Sequence, residues 1–430
     1  MGSTRRRGAR KTYREVIGLT GPLLPVVSFL GRLPTATVQF GSVLLVARTS
    51  GSLTAAGLAG GALAVGQVAC GPLVGRLADR HGQRPVVLAF SLANALAIAL
   101  LVAGALAGLP TPLLALLGAL AGASGPLIGP LARTRLVSLA RRAGAPERTV
   151  GAALSLESTL DEVSFVLGPA LVGLASVLAH PAYALGAAAA LVALCGTGFA
   201  LHPTARAAAP RADAAPDRDG VRPARRMPRS VHALRASLAL QGAMFGACQA
   251  GITALTERLG RPDQAGLVYA AMGVMSAVAG LAMAAMPARI GLRARWRAAT
   301  AAACALSLPL AGTGTLPALY AVVTVLGVAY APHLITVFAL TERVVPPARL
   351  AEAMAFATSA LVAGQALAVA VTGRLAEAHG PAAAFAAGSA AAALACLVAL
   401  ATRPAPYAGR APGPLPARAA ERPAHPRPRP

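Results

Sequence analysis

Charged side chains are scarce in this sequence, at 13% of 430 residues, and some of them interrupt long apolar stretches. Arg32 lies in Phe29-Leu30-Gly31-Arg32-Leu33-Pro34. Glu157, Asp161 and Glu162 lie in Ser155-Leu156-Glu157-Ser158-Thr159-Leu160-Asp161-Glu162. An ionisable group inside an apolar span costs about 2.5–3.5 kcal/mol on insertion scales, so such groups are functional candidates by default. Glu157 and Asp161 are four residues apart and share one face of a helix. A carboxylate desolvated in a membrane cavity is driven to take up a proton, and a neighbouring cation opposes that. The combination is suited to carrying a coupling proton. An ion pair between Arg32 and Asp161 or Glu162 is expected, with one carboxylate left free. A fixed pair that only ties two helices together would use the same residues.

Gln39, two turns beyond Arg32 on the same face, Gln241 and His333 are further polar groups that could line a cavity. Gln249 and Asn94 are similar cases. The five cysteines are widely spaced in apolar stretches without a CxxC pair, as small buried hydrophobes are. There is no metal-ligand cluster, nucleophile–base pairing or phosphate loop, so no enzyme, metal or cofactor is expected.

These residues need helices that cross a membrane. Hydrophobic residues make up 56% of the chain, and its mean hydropathy is +0.63. A spanning helix needs about 20 mainly apolar residues. Twelve such stretches are readable: 22–47, 54–75, 85–107, 111–132, 151–178, 182–201, 234–256, 265–286, 297–313, 316–339, 350–372 and 382–401. They frame a basic N-tail (1–19), a first six-helix bundle (20–201), a polar Arg/Pro-rich linker (202–233), a second bundle (234–402) and a disordered Pro/Arg-rich tail (403–430). Of the 39 Lys and Arg residues, 34 fall in the tails and in every second loop, 4 fall on the opposite side, and Arg32 falls inside a span. This is the positive-inside pattern, with both termini in the cytoplasm and the chain in the inner membrane. The same alternation accounts for the net charge of +24 without nucleic acid. The halves also repeat weakly: a shift of 209 residues lays Gly71 on Gly280 and Gly82 on Gly291.

Between the second and third spans runs Gly75-Arg76-Leu77-Ala78-Asp79-Arg80-His81-Gly82-Gln83-Arg84. It resembles the loop signature of the major facilitator superfamily, Gly-x-Leu-x-Asp-Arg-x-Gly-Arg-Arg, with Gln83 where the family often has Arg. A degenerate second copy around Ala284 to Arg293 has Ala288 in place of the Asp. The physics suits the place: Gly75 allows close helix packing, Gly82 allows a tight turn, and Asp79 suits a helix N-terminus. The resemblance implies an all-α membrane protein of twelve transmembrane helices in two six-helix bundles. It also implies a latch in which Asp79, with Gly75, Arg80, Gly82 and Arg84, meets the start of the eleventh helix. Glu352, which opens that helix, would repel Asp79 there. Arg133 and Arg135 are expected at the cytoplasmic face, where Arg133 is a candidate partner of Asp79.

Gly168-Pro169-Ala170-Leu171-Val172-Gly173 is similar to the Gly-Pro motif in the fifth helix of drug/proton antiporters, and would kink that helix at the interface between halves. The expected function is secondary active transport of a small organic solute, as proton-coupled efflux by alternating access. The alternatives are a proton-coupled uptake symporter for a nutrient or organic anion, with Arg32 binding substrate, and a non-transporting membrane scaffold or receptor. The partners expected are the substrate, protons and the lipid bilayer, with the chain acting as a monomer.

Overall fold

The computed structural model describes residues 12–207, 227–261, 264–287 and 289–405. Most of the expected N-tail, linker and C-tail, and Ala288, lie outside the described residues. The regular elements among the described residues are helices. They are α1 (12–20), α2 (Leu23–Ser50), α3 (Leu53–His81), α4 (Gln83–Leu106), α5 (Thr111–Ala123), α6 (Ile128–Arg142), α7 (Glu147–Leu178), α8 (Pro181–Leu201), the single turn α9 (Thr204–Ala207), α10 (Arg229–Arg258), α11 (Ala265–Ala282), α12 (Leu292–Ser307), α13 (Leu316–Val344), α14 (Leu350–His379) and α15 (Pro381–Ala401).

Eleven described stretches are long and apolar enough to cross a membrane, with α5 and α6 counted as one. The remaining span is α12. It opens on Arg293, Arg295 and Arg297, which leaves it too short and too charged to qualify on composition. The described chain is thus a twelve-span helical protein.

Two expectations need correction. Residues 12–20 belong to a packed helix rather than a tail. Val16 of α1 is buried, and the Tyr13 hydroxyl donates to the Leu281 carbonyl at 3.0 Å and lies 3.2 Å from Ser155 Oγ. The fourth span does not end at 132. It breaks between Ser124 and Leu127, then resumes as α6 and runs to Arg142. Pro126 has no N–H to continue the ladder, and Leu127 adopts φ 50°, a left-handed conformation. Asn94 Nδ2 donates to the Ala121 carbonyl at 2.7 Å, which satisfies a backbone acceptor that the break frees within the apolar layer.

Within the first half α2 packs on α8, α7 and α3, and α3 packs on α5. Within the second, α10 packs on α14 and α15, and α13 on α11 and α12. Glycines permit the closest approaches: a Cβ on Gly118 would come 2.6 Å from the Ala59 carbonyl, and one on Gly364 would overlap the Ala239 carbonyl. The halves meet along α3–α14 and α7–α11.

The seam is asymmetric. At the end carrying the α3–α4 turn, one apolar core draws from both halves, with Val137 and Leu154 packed among Trp296, Phe338 and Met354. At the opposite end each half has a core of its own, one around Leu45, Leu101 and Leu185, the other around Ile252, Leu319 and Phe385. The seam is therefore sealed by apolar packing at the α3–α4 end, beside a cleft lined by Glu147, Arg148, Arg295 and Arg343.

Candidate functional site

Helix α2 carries Arg32 into the interior, where it is 4% exposed. All five of its N–H groups have acceptors. Nε donates to the Ser28 carbonyl at 3.1 Å, and Nη2 donates to Ser28 Oγ and to the Glu157 carboxylate. Nη1 donates to the Glu157 carbonyl at 2.9 Å and to Asp161 Oδ1 at 2.7 Å. The i, i+4 spacing on α7 is what lets one planar guanidinium reach both acids. The ion pair anticipated with Asp161 or Glu162 therefore forms with Asp161, and Glu157 is its second member.

The other Asp161 oxygen is taken by Arg133 Nη2. Gly129, one turn earlier on α6, admits the approach: a Cβ there would come 2.8 Å from Asp161 Oδ1. The Arg133 guanidinium also lies 4.0 Å over the Phe338 ring of α13, so it bridges the two halves. This corrects the expectation that Arg133 and Arg135 are surface charges and that Arg133 meets Asp79. Both are buried because α6 continues ten residues past the expected end of the span. Arg135 makes no hydrogen bond to the network, though Glu157 attracts it. Its Nε donates to Gln83 Oε1 at 2.9 Å, its Nη1 donates to the Phe199 carbonyl at 2.8 Å, and its guanidinium lies 3.7 Å over the Phe199 ring. Gln83 also donates to Thr134 Oγ1 at 2.8 Å and to the Leu131 carbonyl at 3.1 Å. The departure from the loop signature thus has a local reason: a second guanidinium at position 83 would face Arg135 in a buried place.

Arg32, Arg133, Glu157 and Asp161 form a network of two cations and two anions. Glu162, next along α7, has no ion pair among the described residues. It faces a cavity between the halves, lined by Arg133, Asp161, Phe165, Gln241 and Phe338 among others. On its other side it lines a smaller void together with Ser276 of α11. Gln241 is on the cavity wall, with Nε2 donating to the Tyr330 carbonyl at 2.9 Å and its own carbonyl accepting from Tyr330 Oη at 3.2 Å. His333 and Gln39 are not on that wall. His333 is buried, with Nε2 2.8 Å from Ser237 Oγ, and Ser237 Oγ in turn accepts from Trp296 Nε1 at 3.0 Å. Gln39 is half-buried on α2. Gln249 lines an outer cleft between α10 and α14.

At the sealed end Asp79 caps α14. Its Oδ1 accepts from the Ala351 N–H at 3.0 Å and its Oδ2 from the Glu352 N–H at 2.7 Å. Gly75, one turn earlier, lies against the same turn: a Cβ there would come 2.7 Å from the Ala351 carbonyl and 2.9 Å from Glu352 Cα. Gly82 alone separates α3 from α4, at φ 84°. Glu352 turns away from Asp79 and accepts from Arg76 at 2.9 Å and from Arg349 at 2.9 and 3.0 Å, so the feared repulsion is offset. Arg80 and Arg84 are exposed and make no hydrogen bond or ion pair among the described residues. A second bridge escaped the sequence reading. Glu147, opening α7, accepts from Arg141 and, across the seam at 2.9 Å, from Arg343 of α13.

In the fifth-span motif, Pro169 lies inside a continuous α7. Gly168 serves packing within the first half rather than between halves, since a Cβ there would come 2.8 Å from Ala36 Cβ and Thr37 N of α2. Gly173 has open space around it.

The model of the Major Facilitator Superfamily matches residues 24–260 and 236–426. The chain belongs to the major facilitator superfamily. As a member it is a multi-pass membrane transporter. Comparison with curated proteins finds no match. Among solved structures, the human organic anion transporter MFSD10 (TETRAN) superposes with a TM-score of 0.67 at 19% identity, covering 92% of this chain and 99% of that one. A bacterial homologue of the iron transporter ferroportin, in its outward-facing state, gives 0.69 at 17% identity, covering 88% and 98%. The superfamily transporter FucP, in its outward conformation, gives 0.60 at 16% identity, covering 89% and 98%. At these identities the likeness is one of fold.

Proposed function

We propose that this superfamily member is a proton-coupled exchanger that exports a small organic solute by alternating access. The observation that carries this reading is Glu162. It is a carboxylate at the wall of an internal cavity on the seam, unpaired beside a network whose charges otherwise balance. A half-buried carboxylate without a cation, facing such a cavity, is served either by a proton or by a positively charged guest. One group that serves two ligands in turn couples their movements in opposite directions, provided that the seam opens alternately at each end. The sealed α3–α4 end, capped by Asp79, fits one of the two states required.

The uptake alternative used Arg32 as an anion receptor. With five acceptors around its five donors, Arg32 has nothing left to offer a substrate. The neighbours named above include an organic anion transporter, but that property stays with that protein.

The sealed end is the basic one by the loop charges, and the positive-inside pattern supports its placement at the cytoplasmic face of the plasma membrane, with both termini inside. Two six-helix bundles, 20–201 and 234–402, would rock about the seam, and the monomer suffices.

The test is proton flux in proteoliposomes under an imposed pH gradient, with a mixed panel of organic solutes outside. Wild-type protein releases protons in response to a transported member. Glu162→Gln abolishes the response, and Asp161→Asn weakens it. Unaltered flux in Glu162→Gln would remove the coupling role.

A further inference from the structure

The cavity beside Glu162 holds polar atoms that the ion-pair network leaves unused. Arg133 Nε and Nη1 and Gln241 Oε1 are buried without a partner among the described residues. Arg133 and Gln241 are each 1% exposed. Both lie on the cavity wall. A buried donor or acceptor left unmade is costly, and its place in a binding cavity is explained when a ligand completes it.

The wall states what such a ligand must offer. Its ionised groups are Arg133, Asp161 and Glu162, one positive and two negative. Arg32 and Glu157 behind them cancel each other, and Arg135, which also attracts Glu157, donates to the Phe199 carbonyl and does not line the cavity. One negative charge is therefore left over on Glu162. The unused acceptor on Gln241 asks for a donor, and the two unused donors on Arg133 ask for an acceptor. The rest of the wall is apolar and aromatic, with Phe165, Phe245, Tyr330 and Phe338 presenting rings. Phe245 and Tyr330 pack against each other with centroids 5.1 Å apart. Aromatic faces attract cations and accommodate flat apolar bodies.

We infer that this cavity takes an organic monocation: a protonated amine that carries a neutral oxygen acceptor and an apolar or aromatic body. The ammonium neutralises Glu162 and donates to Gln241 Oε1, the oxygen accepts from Arg133, and the body enters among the rings as the halves part, since the free space there, about 60 Å³, is smaller than the guest. An anion would add to an uncompensated negative charge. A neutral solute would cover that charge without matching it. A zwitterion would satisfy the donors but return the excess charge. Among the described residues no cluster of His, Cys, Asp or Glu forms a metal site, so an inorganic cation lacks a cage. This inference rests on the exchanger reading and names the substrate class of that same site.

Three compounds sharing one naphthyl ether test it: propranolol, with an amine; 3-(1-naphthyloxy)-1,2-propanediol, neutral; and 1-naphthoxylactic acid, an anion. Binding is measured by calorimetry on the full chain in detergent at alkaline pH, with protein-free micelles of the same detergent as the background. The amine binds at least about tenfold more tightly than the other two. Glu162→Gln removes that preference, Glu162→Asp restores it in part, and Gln241→Leu weakens only the amine. Equal binding of all three, preference for the acid, absence of binding, or an amine preference that survives Glu162→Gln each overturns the class.

A second measurement separates this from failure of the transporter reading. Spin labels at Arg84→Cys and Ala348→Cys, on a cysteine-free background, report opening of the sealed end without any substrate. Opening that depends on pH, with no amine preference, leaves the exchanger standing and the substrate class refuted. An amine preference with a seam that never opens at any pH or with any of the three ligands refutes the exchanger while the binding class stands.

Discussion

Asp79 of α3 accepts both the Ala351 and the Glu352 backbone N–H at the first turn of α14, at 3.0 and 2.7 Å. The two helices belong to different halves, so one side chain spans the seam by capping a helix that its own half does not contain. An anion at a helix N-terminus contributes about 0.3–2 kcal/mol, a factor of about 2–30 in the balance between closed and open ends. Asp79→Asn keeps one acceptor, loses the charge and turns an N–H₂ toward a donor. Insertion and abundance should be unchanged, while the Arg84–Ala348 spin-label distance broadens toward the open state and transport falls. A distance distribution identical to wild type would show that the cap does not hold the seam.

The loop motif also predicts which of its members are dispensable. Arg80 and Arg84 are exposed and without described partners, whereas Arg76 holds Glu352 at 2.9 Å. Arg80→Ala and Arg84→Ala should each leave transport within about twofold of wild type, as surface substitutions away from such features usually do. Arg76→Ala removes one of the two cations on Glu352, and the carboxylate then competes with Asp79 at the same helix end. Its expected effect on transport is larger than that of either other arginine. Initial transport rates normalised to protein abundance decide the order.

The central network should behave as a balanced set. Removing one partner of a buried ion pair strands the other and costs about 3–5 kcal/mol, whereas removing both is often close to neutral. Arg32→Met strands Glu157, which is fully buried with Arg32 as its ion-pair partner. Arg32→Met with Glu157→Leu removes a cation and an anion together and leaves Asp161 with Arg133. Thermal unfolding in detergent should show a large drop in Tm for Arg32→Met and recovery of more than half of it in the double variant. Additive losses would mean that the two side chains act independently.

How much of this was readable without coordinates differs from residue to residue. The twelve spans were readable because the hydrophobic requirement of lipid is written in long runs, and the α3–α4 turn because its glycine and aspartate have specific local duties. The Arg32–Asp161 pair was readable because costly charges at matching depth in an apolar layer seek each other. Arg133 was not, since hydropathy reading stops at the first charge, whereas α6 continues through Leu136, Val137 and Ala140 as a buried helix. The apolar residues on both sides of Arg133 and Arg135 were the available signal. The cross-seam Glu147–Arg343 bridge was beyond reach, because it joins residues 196 positions apart whose proximity is a product of the fold alone.

Gln83 offers a test of how local context overrides a family pattern. Its amide donates to Thr134 Oγ1 and the Leu131 carbonyl and accepts from Arg135 Nε, all within a buried patch. Gln83→Arg restores the signature's usual residue but sets a second guanidinium against Arg135 and removes the acceptor on which Arg135 depends. An uncompensated buried charge of this kind is strongly destabilising. Gln83→Arg should lower membrane abundance and Tm despite matching the family pattern. The exchange Gln83→Arg with Arg135→Gln returns one cation and one amide to the patch and should recover much of the loss. A Gln83→Arg variant as stable as wild type would mean that the patch admits water or that the new side chain escapes along the α4 surface. Accessibility of a cysteine at Thr134 to a charged thiol reagent distinguishes those two cases.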